Sequence, residues 1–195
     1  MDEAPKERVV ALLRAAAAGN EDAWRSLVES YSPRVFGLLR ARCRDEELAE
    51  ELTQSVFVTL AEKLPDYVEQ GRFESWLFRV ALNRLRDEMR RRGRHATPTD
   101  HEKLAAFGDA EAFNAEGGKA GYRAIPAGDR RVLESALLEL NATDRQIIDL
   151  RFIAELSFAA ISAMTGEPVG TLLARHHRAL AKLRKAIERS PNQDF

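Results

Sequence analysis

The chain has 195 residues, 45% of them hydrophobic and 31% charged, with a formal net charge of −1 and a single cysteine. That size and balance suit a soluble globular protein of one domain or two small ones, and the total charge gives no overall basic character with which to hold nucleic acid. Cys43 alone excludes an internal disulfide and a thiolate-rich zinc site; no apolar run approaches the ~20 residues of a membrane span, and Met1-Asp2-Glu3 opens on acids rather than a basic leader, so a cytoplasmic protein is expected.

Nearly every segment reads as helix, and the expected fold is all-α. Residues 5–18 form a strong helix that ends at Gly19-Asn20. A second helix, about 21–31, carries Trp24, Leu27 and Val28 toward a core. Ser32-Pro33 is an N-cap followed by a proline suited to a first helical turn, so a third helix is expected from there through Phe36, Leu38, Leu39 and Ala41. Cys43, between arginines, reads as a packed or half-exposed thiol. Asp45 caps a fourth helix reaching Leu64, with Leu48, Leu52, Val56, Phe57 and Leu60 as its apolar stripe. Residues 65–74 read as an exposed loop displaying Tyr67 and Phe73. A fifth helix, about 74–92, places Trp76, Leu77, Val80, Ala81 and Leu85 inside and a row of arginines outside.

From 93 to 128 the periodicity dissolves into Gly93, Thr97-Pro98-Thr99, Gly108, Gly117-Gly118, Gly121 and Pro126-Ala127-Gly128, which reads as a flexible linker with at most a transient helix near 101–113. A chain of ~35 such residues has a typical end-to-end distance of ~30–35 Å, enough to let two domains bind two sites on a larger assembly. The second domain is expected over 129–189, with 190–195 as a tail. Its first helix, about 129–139, shows Val132, Leu133, Ala136 and Leu137, with Leu140 just beyond. Asn141 or Thr143 caps the next, which runs on from Arg145 to Phe152.

The stretch from Leu156 to Leu180 organises this second domain. A short apolar helix, about 158–164, stops at Thr165-Gly166, where glycine supplies the left-handed turn, and Pro168 starts another helix. Two helices joined this tightly make a helix-turn-helix, whose second helix usually enters the DNA major groove. Val169, Leu172, Ala179, Leu180, Leu183 and Ile187 give that helix an apolar stripe; Thr171, Ala174, Arg175, Arg178 and Lys182 give it a small and cationic face.

Charge is sorted into blocks, and blocks create local fields that the total conceals. Between 45 and 63 lie Asp45, Glu46, Glu47, Glu50, Glu51 and Glu62 against Lys63. Between 72 and 94 lie eight arginines against Glu74, Asp87 and Glu88. Arginines at a helix C-terminus complement its dipole, which accounts for one or two of them but not for eight. Enzyme chemistry finds no foothold: there is no phosphate-cradling glycine loop, no nucleophile motif, and no metal spacing among His95, His101, His176 and His177. No cofactor or metal is expected.

Two separated signatures then agree on one family. The first is Glu51-Leu-Thr-Gln-Ser-Val-Phe57, followed by Phe73-Glu-Ser-Trp-Leu-Phe-Arg-Val-Ala-Leu-Asn-Arg-Leu-Arg-Asp87 and Arg90-Arg91-Arg92. The second is Leu137-Leu-Glu-Leu-Asn-Ala-Thr-Asp-Arg-Gln-Ile-Ile-Asp-Leu-Arg-Phe152, with Leu156-Ser-Phe158 and Val169-Gly-Thr-Leu172 through His177-Arg178-Ala179. Together they cover about 130 residues. The chain resembles an extracytoplasmic-function (group IV) sigma factor of bacterial RNA polymerase, the first signature matching its sigma-2 helix bundle (1–92) and the second its sigma-4 helix-turn-helix domain (129–189).

The resemblance implies a division of labour. Glu50, Glu51, Gln54 and Phe57 would dock on the polymerase clamp. Tyr67, Arg72, Phe73, Arg79, Asn83, Arg84, Asp87, Arg90 and Arg91 would melt and hold the minus-ten element, a task that calls for aromatics and arginines. Thr171, Ala174, Arg175, Arg178 and Lys182 would read the minus-thirty-five element. Core polymerase, promoter DNA and an anti-sigma protein are the implied partners of a chain that is monomeric when free.

Four positions depart from the family pattern. Ser55 stands where a glutamate is common, Leu173 where a base is usual, His176 where an apolar residue closes the core, and Ser162 where alanine is customary. His176 is expected to be partly buried and satisfied by a backbone acceptor. Thr53, Ser55 and Thr59 are hydroxyls near the thinned acidic surface, and phosphorylating one would restore negative charge there. The competing reading is a stand-alone helix-turn-helix regulator that binds duplex operators without polymerase, as a dimer.

Overall fold

The computed structural model describes residues 3–95 and 127–189. The linker expected over 93–128 and the tail at 190–195 lie largely outside that range, as does the transient helix near 101–113. The chain divides into two units between Glu88 and Met89, within the last turns of its fourth helix. Among the described residues all regular structure is helical, and no helix is long and apolar enough to cross a membrane.

In the first unit α1 (Glu3–Ala17) ends at Gly19, whose φ of 86° reverses the chain. Asn20 then caps α2 (Glu21–Cys43), its side chain accepting the Ala23 amide at 2.8 Å. Here the expected break at Ser32-Pro33 is wrong: α2 runs unbroken with Pro33 inside it. A proline in a helix costs one hydrogen bond and some crowding. Leu27, Tyr31, Val35, Leu38 and Leu39 are all buried along one row that straddles Pro33, and only a continuous helix keeps that row in register. Burial outweighs punctuation.

Arg44, in the left-handed region at φ 56°, closes α2, and Asp45 caps α3 (Glu46–Lys63) by accepting the Leu48 amide at 3.0 Å. Cys43 is fully buried and its thiol donates to the Asp45 carbonyl at 3.2 Å. A 3₁₀ turn (Leu64–Asp66) leads toward α4 (Phe73–His95), which starts one residue earlier and ends three residues later than its periodicity predicts. Phe78, buried on α4, is a core residue that the sequence reading passed over. Arg34 fastens α2 to α4 through Glu74 at 2.8 Å, its guanidinium lying over the rings of Tyr31 and Phe78.

The second unit packs α5 (Ala127–Leu138), α6 (Ala142–Ile148), α7 (Phe158–Thr165) and α8 (Val169–Glu188) around Leu140, Ile147, Leu150, Ile161, Leu172 and Leu183. Asn141 is the cap of α6, accepting the Asp144 amide at 2.8 Å. The helix expected to run on to Phe152 does not do so regularly. It widens into a π turn over Asp149–Ile153, where the Ala154 amide reaches the Asp149 carbonyl at 3.0 Å. That extra width lets the chain bury Ala154 and Leu156 while leaving Phe152 58% exposed. Arg151 crosses the bend, donating to the Leu156 carbonyl at 2.6 Å over the ring of Phe158.

Candidate nucleic-acid and protein interfaces

The acidic block lies on α3. Glu47, Glu50, Glu51 and Gln54 are exposed at helical spacing on one side, opposite the buried Leu48, Leu52, Val56 and Leu60. Phe57, expected to dock outward, is 9% exposed and belongs to the core; Val58, 58% exposed, continues the acidic row instead. Sequence reasoning missed Val58 because an aromatic beside a valine looks like the better anchor. Thr53 is likewise buried, its hydroxyl donating to the Ala49 carbonyl at 2.6 Å, so it is no accessible phosphate acceptor. The Thr59 hydroxyl donates to the Ser55 carbonyl at 2.9 Å and accepts from Arg84 at 2.8 Å. Ser55 is partly exposed beside the acidic row.

The arginine block lies on α4. Arg79, Asn83, Arg84, Arg86, Asp87, Arg90 and Arg91 are exposed, opposite the buried Leu77, Phe78, Ala81 and Leu85. Arg86 donates to Asn83 at 2.9 Å, so the amide is held in place rather than swinging free. Arg84, through Thr59, ties this helix to α3.

The loop before α4 departs from expectation. Phe73 is 2% exposed: its ring packs edge-on against Tyr31 and Tyr67, with centroids 5.2 and 5.9 Å apart, and lies near Trp76. An apolar ring gains more from that pocket than from water, so it anchors the loop from below. Tyr67 is half-buried against Trp76, centroids 5.3 Å apart, and its hydroxyl donates to Glu69 at 3.0 Å. Burial first, then that bond and the carboxylate's charge, push the phenol well above its ordinary range, so it stays neutral. The other oxygen of Glu69 accepts the Arg72 amide at 2.7 Å. This braced loop shows Asp66, Val68, Gln70, Gly71 and Arg72 to solvent with Tyr67 half-covered; Val68, 74% exposed, is signalled by no pattern in the sequence.

In the second unit, Ser157 caps α7 and Gly166, at φ 79°, ends it as expected; Pro168 is the residue before α8 rather than its first turn. The hydroxyl of Ser162 donates to the Glu167 carbonyl at 2.7 Å, so this small residue braces the turn as well as fitting between helices. Thr171, Ala174 and Arg178 are exposed on one side of α8. Leu172, Ala179 and Leu183 are buried on the other, whereas Val169 and Leu180, expected in that stripe, are more than one-third exposed. Alpha-helical periodicity marks a face, but only its middle is covered by α5, α6 and α7.

Two of the expected DNA-facing cations are already engaged. Arg175 forms a two-pronged bridge to Glu167, and Lys182 pairs with the buried Asp144, which also accepts from the Asn141 amide group at 3.1 Å. Burying a carboxylate is costly unless it is paired and hydrogen-bonded.

His176 is not satisfied by a backbone acceptor. Its Nε2 is buried without a hydrogen-bond partner, while Phe152 stacks on the ring with centroids 5.7 Å apart and Phe158 meets it edge-on at 5.3 Å. Burial, then the neighbouring His177 and Arg151, hold its pKa below the ordinary value. The unfolded chain therefore binds a proton more readily than the folded one. Stability contributed by neutral His176 is full above about pH 6.5 and is lost as pH falls through the depressed folded value. The urea midpoint of this unit should drop between pH 7.5 and 5.5, and His176→Leu should flatten that drop; an equal drop in the variant would remove His176 as its cause.

Among the described residues no group of histidine, cysteine and carboxylate side chains could hold a metal ion. The Sigma-70 region 2 family model matches residues 27–95, and the Sigma-70 region 4 model matches residues 136–185. The chain is 31% identical over 173 residues to the ECF RNA polymerase sigma factor SigE of Mycolicibacterium smegmatis, covering 87% of this chain and 63% of that one. It is 30% identical to the RNA polymerase sigma factor CarQ of Myxococcus xanthus, covering 87% and 91%. Among solved structures it is similar to CnrH in complex with the cytosolic domain of CnrY, with a TM-score of 0.61 at 25% identity over 91% of this chain and 96% of that one. RpoE in complex with the anti-sigma factor NepR from Bartonella quintana shares the fold, with a TM-score of 0.62 at 22% identity over 85% and 97%.

Proposed function

This chain belongs to the ECF sigma factors of bacterial RNA polymerase, being 31% identical over 187 residues to the ECF RNA polymerase sigma factor SigD of Mycobacterium bovis and covering 84% of it, and from that membership we propose how its surfaces divide the work. As such a factor it directs RNA polymerase to promoters. The finer placement in group IV is part of this proposal, supported by the matches to the region 2 and region 4 models. Residues 1–92 dock on the polymerase clamp and open the minus-ten element, 93–128 tether, and 129–189 read the minus-thirty-five element.

What supports the residue roles is exposure. The acidic row of α3 ends on an exposed valine, as a surface for a cationic helical partner with an apolar centre would. The row from Arg79 to Arg91 runs along α4, the helix that follows the braced loop, so it can neutralise a single strand while Val68 and Tyr67 meet an unstacked base. Phe73 acts beneath that loop. On α8, Thr171, Ala174 and Arg178 face outward for the major groove, with Arg175 and Lys182 beside them. The chain positions and separates strands and carries out no chemistry itself; it works in the cytoplasm as a monomer until it meets polymerase. Because solved proteins of this fold include complexes with a partner protein, we assign an anti-sigma protein as the partner that holds this chain inactive.

The test is transcription in vitro. Core polymerase with a library of linear promoter fragments should give discrete transcripts only when this chain is added. Lack of any chain-dependent start site would overturn the proposal.

A further inference from the structure

Glu167 stands in the turn between α7 and α8, and its carboxylate reaches eight residues onward to Arg175. Nη1 donates to Oε1 at 2.8 Å and Nη2 to Oε2 at 2.6 Å. These are not loose surface groups: the arginine side chain is 19% exposed and the glutamate 34%. The turn itself is pinned from both directions. Ser162 donates to the Glu167 carbonyl at 2.7 Å, the Thr165 hydroxyl accepts the Glu167 amide at 3.3 Å, and Gly166 and Pro168 fix the backbone on either side.

A fork-to-fork pair does two things to an arginine. It fixes the guanidinium plane and occupies two of its five N–H donors. It also cancels the charge that a free arginine would offer to any passing phosphate. The pair is tight enough that its hydrogen bonds hold the Glu167 carboxyl below the ordinary range and raise Arg175 above its own. Arg178, three residues on, is exposed and carries no such restraint from the turn.

We propose that Glu167 is a specificity-determining residue: by neutralising and orienting Arg175 it withdraws one sequence-blind phosphate contact from the recognition helix and leaves that arginine pointing in one direction. Discrimination is a difference between affinities, so weakening the binding to wrong sequences sharpens it as surely as strengthening the right one. This rests on the reading that α8 meets duplex DNA.

The experiment uses holoenzyme reconstituted with core polymerase, a random-sequence duplex, and a promoter enriched by the wild-type holoenzyme from a random library. Glu167→Gln preserves the shape and keeps a hydrogen bond while removing the charge. It should raise affinity for the random duplex about fivefold near ~0.1 M salt, steepen the dependence of log K on log salt by about one, and lower the promoter-to-random ratio. In an Arg175→Ala background the same change should do none of this. An unchanged slope and ratio would overturn the inference. So would an identical gain without Arg175, since the carboxylate would then be acting on DNA directly. Arg178→Ala separates the two levels: if it flattens the slope by about one while Glu167→Gln is silent, the helix sits on DNA and only the role of Glu167 falls. If both are silent, both readings fall.

Discussion

Reversing Glu50 and Glu51 to lysine should lower the affinity of this chain for core RNA polymerase by up to roughly 100-fold or a few times that. The two carboxylates are exposed on α3, flanked by Glu47, Gln54 and Val58, and no ion pair among the described residues neutralises them. A rim pair contributes about 1 kcal/mol or less once solvent has screened it. Replacing attraction by repulsion at two adjacent positions doubles each term, and every ~1.4 kcal/mol is tenfold in binding. Val58→Asp should cost about tenfold by placing a charge on the apolar contact at the end of the row. Ser55→Glu should instead strengthen binding a few-fold by thickening the acidic row. Fluorescence anisotropy of labelled protein against core polymerase reads all three, with circular dichroism to confirm the fold. Unchanged affinity for the double reversal would take α3 off the polymerase.

Ile161→Ala should unfold the second unit while the first stays intact. Ile161 is fully buried between the helices of the helix-turn-helix, and truncating such a side chain costs about 2–5 kcal/mol. A helical domain of about 60 residues, such as 127–189 here, rarely holds more than about 5 kcal/mol in total, so one cavity can spend nearly all of it. The two tryptophans give a clean reading because Trp24 and Trp76 both lie in the first unit. In urea, tryptophan fluorescence should report an unshifted transition while far-ultraviolet dichroism loses part of its amplitude at much lower denaturant. A common shift in both signals would mean that the two units do not unfold independently.

Much of this architecture is written locally and was legible. Asp45 and Asn141 (one of two expected caps) each cap the helix that follows, and Gly166 takes the left-handed conformation that ends α7, whereas Asn20, read only as the end of α1, also caps α2. Ser32-Pro33 carries an equally good local signal, yet a buried row running past it overrides that signal. Phe73 and Phe57 look like exposed anchors because aromatics in a charged stretch suggest contact, while their burial depends on helices far away in sequence. The link between Glu167 and Arg175 crosses a turn and obeys neither helical spacing nor strand alternation, so no periodicity could reveal it. The outward arginines of α4 were readable because they follow the helix repeat directly.

The π turn at Asp149–Ile153 contains neither glycine nor proline, so nothing in its composition marks it. Its consequence is one of length rather than of chemistry. Deleting a single residue there would let the ordinary ladder close again and rotate everything downstream by ~100°. Ala154 and Leu156 would swing out of their sockets, and the segment that carries the reading head would face the wrong way. Along this bend, a gap or an insertion should disrupt the unit as much as truncating a side chain in its core.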